Sequence, residues 1–177
     1  MRDRDEAGRP RNLRPRDEYG RPLPHGAEGV PRIPDDYAPG PLQAIEDAKR
    51  LLEAGRPFHA HEVFEARWKT GPAEERELWQ GLAQICVGLT HVQRGNLPGA
   101  ATLLTRGSAR LSAYGSRRPY GLDLRALAIA SDRLTSEIDS GQVDAATAIG
   151  VILEHLRQAG EPERATTAEA SADGSNG

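Results

Sequence analysis

The chain has 177 residues and a net charge of −3, because 26 acidic side chains outnumber 23 lysines and arginines. This length fits a single domain, and the near balance of charge argues against a nucleic-acid partner, whose phosphates need a basic surface. The single cysteine excludes an internal disulfide framework and a multi-cysteine zinc site. Because no apolar run reaches about 18 residues and no apolar signal core follows Met1, we expect a cytoplasmic protein without a membrane partner.

Residues 1–40 form an arm rich in arginine and proline. Each proline removes a backbone donor and disfavours helix at the preceding residue, and the arm has few apolar side chains to bury. The arm is either mobile and polyproline-like, or it docks on the rest of the chain through Leu23, Val30, Ile33 and Tyr37. At the other end, residues 160–177 are acidic and polar, and we predict that they are disordered.

Between these ends, residues 41–159 are predicted to form one helical domain. Apolar residues recur there at three- and four-residue spacing in six segments, separated by residues that break helices. Asn96, Asp123 and Asp144 precede the last three segments and can cap them. Short loops make neighbouring helices antiparallel, so the predicted fold class is all-α, a single bundle of about six helices with an extended N-terminal arm.

The predicted second helix, residues 57–69, combines ionisable and aromatic side chains on one face. His61 and Glu65 fall about 40° apart around its axis, and Phe58 and Trp68 flank them. A solvated helix face does not usually carry its largest apolar groups beside its ionisable ones. The pattern therefore indicates a partly buried polar site.

Three other residues are given less specific roles. Glu62 lies about 100° from His61, so it is as compatible with a solvated ion pair as with the site. His59 is predicted to lie on the surface. Cys86 stands between two apolar residues of a buried helix, which favours an inert core thiol.

The predicted third helix, residues 72–94, carries a polar stripe on an otherwise apolar and central segment. Gln80, Gln84, Gly88 and His91 fall within an arc of about 80°. Gly88 leaves space either for the close approach of another helix or for a bound molecule. If the second and third helices pair antiparallel, the stripe can face the polar groups of the second helix.

Three segments have a distinctive order and spacing: FHAHEVFEARWK at residues 58–69, ELWQGLAQICVGLTHVQRGNLPGAATLL at residues 77–104, and Gly121-Leu122-Asp123. They resemble the DUF309 family of small bacterial, archaeal and plastid proteins over roughly residues 42–139, and the arm sequence GRPRNLRPRDEYGRPLPHG resembles the leader of some bacterial members. The resemblance implies an all-α bundle, and it implies no function, because the family is named for having none assigned. It places the family's signature side chains at His61, Glu62, Glu65, Trp68, Gln80, Gln84, His91 and Asn96.

The residues leave three interpretations of His61 and Glu65 open. They form a structural pair that staples the second helix to the third with the support of Gln84, or they line a pocket for a polar ligand or anion. In the third interpretation, His61, Glu65 and His91 hold a divalent metal. The spacing His-Glu-x-x-Glu differs from the His-Glu-x-x-His of zinc proteases, so we expect no cofactor and keep the metal as the alternative.

The leading functional hypothesis is a binding or scaffold module, monomeric or homodimeric, for an unidentified small ligand or protein partner. The alternative is a metal-dependent or acid–base hydrolase. In that enzyme Glu65 would be the general base, and His61 and His91 would be ligands or acid–base groups. Sealed, mutually bonded polar groups would favour the module, whereas polar groups open to a cleft would favour the enzyme.

Overall fold

A computed structural model of the chain describes residues 3–4, 10–11, 15–24, 26, 28–31 and 33–159. The predicted disordered tail, residues 160–177, lies outside the described residues, and the division into arm, domain and tail stays a prediction. In the arm, strands β1 (Asp3–Arg4) and β2 (Pro10–Arg11) pair antiparallel over two residues each.

Within the described ranges, six α-helices follow the arm, which confirms the predicted all-α fold class. Two short 3-10 turns, Ala73–Glu75 and Pro119–Gly121, precede the third and fifth helices. The third helix therefore begins four residues later than its predicted start at residue 72. The helices are α1 (Pro41–Glu53), α2 (Pro57–Thr70), α3 (Arg76–Gln93), α4 (Leu97–Ser112), α5 (Leu124–Asp139) and α6 (Ala145–Arg157).

The three predicted N-caps are all present. The side-chain oxygens of Asn96, Asp123 and Asp144 accept hydrogen bonds from the backbone N–H three residues later, at 3.1, 3.0 and 2.7 Å. Each cap satisfies a donor that a helix start leaves without an intrahelical partner. Local chemistry thus fixes where α4, α5 and α6 begin.

Helix α3 lies at the centre of the bundle, as predicted, and packs against α2, α4 and α6. Leu78, Trp79, Ile85 and Leu89 are completely buried on it. Cys86 is also buried, and burial raises the pKa of its thiol, as the prediction of an inert core cysteine requires. None of the helices in the described ranges combines the length and the apolar character that crossing a bilayer requires.

Helices α3 and α4 approach each other closely through glycines. A Cβ atom on Gly88 would lie 2.8 Å from Leu104 Cγ, and one on Gly107 would lie 2.8 Å from the carbonyl oxygen of Gly81. Both distances are shorter than van der Waals contact. Of the two roles predicted for Gly88, the structure therefore shows close helix approach.

The described part of the arm contacts the helices. Ile33 and Tyr37 pack, partly buried, against the core, and the Tyr37 hydroxyl donates a hydrogen bond to Asp47 of α1. The backbone N–H groups of Leu23 and Val30 instead bond within the arm, to the carbonyls of Pro15 and Arg16 at 2.7 and 2.9 Å. Two of the four residues predicted to dock thus bury side chains on the body, and the other two help fold the arm back on itself.

Candidate functional site

His61 and Glu65 meet within α2. His61 Nε2 lies 3.2 Å from Glu65 Oε2, and Lys69 Nζ lies 2.8 Å from the other carboxylate oxygen. The hydrogen bond with His61 and the charge of Lys69 outweigh desolvation and hold the pKa of Glu65 at about 2. All three residues belong to one helix, so this pair does not staple α2 to α3, contrary to the structural interpretation.

The polar stripe of α3 faces α4 rather than α2, which corrects the predicted arrangement. Gln84 Oε1 accepts a hydrogen bond of 3.0 Å from Arg110 Nε of α4, and Gly88 lies against Leu104 of the same helix. Near the end of the stripe, His91 Nδ1 lies 3.2 Å from the side-chain nitrogen of Asn96. The glycines of α3 let α4 approach this face closely, so α4 covers the stripe.

The remaining predicted site residues take separate positions. Trp68 packs, partly buried, against the core, while Glu62 and Gln80 are half-buried. His59 is only 2% exposed, so its predicted surface position is wrong. It shares a face of α2 with buried Val63 one turn later, and its ring meets Phe58 edge-on at 5.6 Å.

The three candidate metal ligands are not gathered in one place by any described contact. His61 and Glu65 bond to each other, and His91 contacts Asn96 at the start of α4. Within the described residues, no group of three or more His, Cys, Asp or Glu side chains could hold a metal ion. Whether the protein uses a cofactor stays a prediction.

One carboxylate does link separate elements of the fold, and we call its cluster of contacts the staple. The carboxylate belongs to Glu75, which the sequence analysis did not predict. Glu75 Oε1 accepts hydrogen bonds from Arg67 Nη2 at 3.1 Å and Trp79 Nε1 at 3.0 Å, and Oε2 accepts from the Tyr120 hydroxyl at 2.5 Å. Burial alone would raise the pKa of Glu75, but these three donors together hold it below its ordinary value. The staple joins α2, α3 and the second 3-10 turn.

Tyr120 reaches this staple in a costly backbone conformation. Its φ of 56° and ψ of 27° lie in the left-handed region, which a tyrosine seldom occupies. Its ring lies 5.9 Å from that of Trp79, and its bond to Glu75, together with burial, raises the pKa of its hydroxyl. No local pattern reveals this cluster, because Tyr120 and Glu75 are 45 residues apart.

At the other end of α2 and α3, the arm covers the ring of Phe58. Gly20 is buried with a φ of +73°, and a Cβ atom there would lie 2.2 Å from Phe58 Cγ. Beside it, Arg94 Nε and Nη2 donate to the carbonyl oxygen of Tyr19 at 3.0 and 2.7 Å. We call Phe58 and Arg94 the seat and residues 15–24 the arm turn.

The arm turn is folded by its own polar groups. Asp17 Oδ1 accepts from the backbone N–H of Tyr19 at 3.0 Å and of Arg21 at 2.8 Å. Arg16 Nη1 donates to the carbonyl of Gly20, which closes the turn from the other side. An aspartate that bonds to its own following backbone stabilises such turns. The turn is therefore held by hydrogen bonds among its own residues as well as by the seat.

Within α2, His61 contacts the seat residue Phe58. His61 Nδ1 lies 2.6 Å from the carbonyl oxygen of Phe58, and the two rings lie 5.0 Å apart. His61 thus joins the seat to Glu65 through its two ring nitrogens. The signature histidine of the second helix supports an aromatic docking surface.

The family described as "Domain of unknown function (DUF309)" matches residues 45–103 of this chain. That range is similar to the DUF309 family. It contains both residues of the seat and all the signature residues named from the sequence, and it is shorter than the expected 42–139. The Gly121-Leu122-Asp123 segment and the arm turn lie outside it.

One relative is similar to part of this chain. "Uncharacterized protein YpuF" of Bacillus subtilis (strain 168) is 35% identical over 68 residues, which are 37% of this chain and 39% of that protein. This chain therefore spans less than half the length of the relative that it matches. No solved structure matches this chain.

Proposed function

We propose that the helical part of this chain is a binding module that recognises a glycine-containing peptide turn in the seat. The observation that carries the proposal is the arm turn itself, held by the seat through Gly20 and the carbonyl of Tyr19. In this proposal the arm turn is a ligand supplied by the same chain.

The seat has one contact that tolerates different sequences and one that selects glycine. Arg94 binds a main-chain carbonyl through two donors, and every residue has such a carbonyl. The face of Phe58 lies so close to Gly20 that any Cβ atom would overlap the ring. A segment that fits must therefore place glycine directly after the residue whose carbonyl Arg94 holds.

The bonding of the other polar groups supports a module more than an enzyme. Both carboxylate oxygens of Glu75 are occupied by protein donors, as are both of Glu65, and Gln84 is held by Arg110. Mutually bonded side chains of this kind are typical of structural networks. The hydrolase alternative stays a prediction, as do the oligomeric state and the cytoplasmic location.

The test compares two arm glycines in the full chain. Gly20→Ala places a methyl group against Phe58 and should release the arm turn, whereas Gly26 also has positive φ but has nothing within 4 Å of a new Cβ atom. A fluorescent peptide of residues 15–24 should bind the Gly20→Ala chain about tenfold or more tightly than the wild type or Gly26→Ala. This follows because a tethered ligand competes at high effective concentration.

A second peptide, with alanine in place of Gly20, controls for specificity and should show no binding by fluorescence anisotropy. Equal affinity of the native peptide for all three chains, or equal binding of the two peptides, would overturn the proposal.

A further inference from the structure

The arm contains a second copy of the sequence that forms the arm turn. Residues 16–22 read Arg-Asp-Glu-Tyr-Gly-Arg-Pro, and residues 4–10 read Arg-Asp-Glu-Ala-Gly-Arg-Pro. The two stretches differ at one position, where Ala7 stands in place of Tyr19. We call residues 4–10 the upstream copy.

The structure pairs the ends of both copies in the same register. Arg16 and Pro22 form an antiparallel bridge in the arm turn, and Arg4 and Pro10 pair antiparallel through β1 and β2. The next pairs outward also correspond: Asp3 with Arg11 upstream, and the N–H of Leu23 with the carbonyl of Pro15 in the arm turn. The sequence and the pairing are therefore repeated together.

Among the described contacts, the seat holds the arm turn through three groups that the upstream copy also has. Arg94 binds the main-chain carbonyl of Tyr19, which an alanine offers equally well. Gly20 lies against the ring of Phe58. The guanidinium of Arg16 lies over the same ring, with its Cζ atom 5.2 Å from the centroid. Because a cation over an aromatic face is attracted to it, Arg16 is a further anchor of the turn on the seat.

The side chain that differs between the copies is not what the seat holds. The ring of Tyr19 contacts Arg21 of the same turn, whose Cζ atom lies 5.3 Å from the ring centroid. The groups that close the turn, the guanidinium of Arg16 and the carboxylate of Asp17, are repeated upstream. The upstream copy thus has the groups that contact the seat and the groups that close the turn.

We infer that the ligand class of the seat is a turn of the form Arg-Asp-x-x-Gly, and that the upstream copy is a second ligand of this class within the chain. The inference rests on the proposed function and names the sequence that the seat selects. Besides glycine, it requires an arginine four positions earlier that covers the Phe58 ring.

The arm turn occupies the seat because its own position gives it additional support. The N–H of Val30 bonds to the carbonyl of Arg16 at 2.9 Å, and a Cβ atom on Gly29 would lie 2.7 Å from Pro15 Cβ. The arm turn is also nearer along the chain to α1, and a shorter flexible tether gives a higher effective concentration. The upstream copy should therefore fill the seat when the arm turn is released.

The first experiment uses the full chain with both Gly8→Ala and Gly20→Ala, in which neither copy can place a glycine against Phe58. By fluorescence anisotropy, a peptide of residues 3–12 should bind this chain within about tenfold of the affinity of residues 15–24. In the peptide of residues 3–12, Gly8→Ala should abolish binding, and Arg4→Gln should weaken it about threefold or more. Glu6→Gln is the matched control and should bind as the native peptide does, because the corresponding Glu18 is exposed.

The outcomes separate the two proposals. Binding of residues 15–24 without binding of residues 3–12 would overturn the second ligand and leave the binding module standing. Equal affinity of the Arg4→Gln and native peptides would overturn the ligand class in the same way. Absence of binding by every peptide would overturn both proposals.

A second measurement tests the upstream copy within the chain. The peptide of residues 15–24 should bind the Gly8→Ala/Gly20→Ala chain about threefold more tightly than the Gly20→Ala/Gly26→Ala chain, in which the tethered upstream copy still competes. Gly26 is the matched position, since a Cβ atom there meets nothing within 4 Å. Equal affinity for the two chains would overturn the second ligand.

Discussion

Two glutamates of this domain show how position decides the role of one residue type. Glu75 accepts bonds from three separate elements of the fold, whereas Glu65 bonds only within its own helix among the contacts described for it. The side chain of Glu65 is also more exposed than that of Glu75, at 35% against 23%. Partners distant in sequence make Glu75 the structural carboxylate.

We expect Glu75→Ala to lower the free energy of unfolding by about 2–4 kcal/mol, because Arg67 and the Tyr120 hydroxyl lose their acceptor in a half-buried place. Glu65→Ala should cost only about 0.5–1 kcal/mol, as exposed i,i+4 pairs do. Urea denaturation of the two variants measures both values. A larger loss for Glu65→Ala would contradict the assignment of the staple.

The depressed pKa of Glu65 makes a signed prediction about pH. Its native value is about 2 against an ordinary 4.5, so the ionised form is favoured by folding. The contribution of Glu65 is therefore fully present above about pH 4.5 and is lost as the pH falls towards 2. The stability difference between wild type and Glu65→Gln should shrink over that window in acid titrations, and a difference that grew instead would contradict the ion pair.

At the scale of elements, the glycines of α3 set the distance to α4. Gly88→Ala should destabilise the domain by about 1–3 kcal/mol, because its methyl group would lie 2.8 Å from Leu104. Gly150 on α6 is the matched control, since a Cβ atom there meets nothing within 4 Å. Gly150→Ala should stabilise by about 0.5–1 kcal/mol, and thermal melts that ranked the two variants in reverse would contradict the close packing.

The same elements show what the sequence can predict and what it cannot. Helix existence and the caps at Asn96, Asp123 and Asp144 were predictable, because spacing and capping act within a few residues. The stripe of Gln84 and His91 was correctly placed on one face. Which helix covers that face depends on packing between distant segments, and here α4 does so through Gly88.

The candidate site was harder to predict than the fold. The signature residues His61 and Glu65 lie on the same helix as Phe58, but the proposed seat also involves Arg94 and a glycine 38 residues before Phe58. The relation between Gly20 and Phe58 has no sequence periodicity. Only the folded chain brings the two together.

For the whole molecule, the helices contain the core and the arm covers it. Among the residues that the structure describes, every member of the buried apolar cluster lies between Ala44 and Ala159. Removal of residues 1–30 should therefore leave the helical content unchanged by circular dichroism and lower the melting temperature by only about 2–4 °C, the effect of about 1 kcal/mol at this size. Loss of the helical signal would show that the arm turn is required for folding.

The closed arm turn has a consequence for the kinetics of the proposed binding. An outside segment can reach the Phe58 ring only after Gly20 has left it, since the two occupy the same surface. The observed association rate should therefore rise with ligand concentration and then level off at the rate at which the arm opens. Deletion of residues 1–30 would remove that ceiling, so the truncated chain should associate at a rate that stays proportional to concentration.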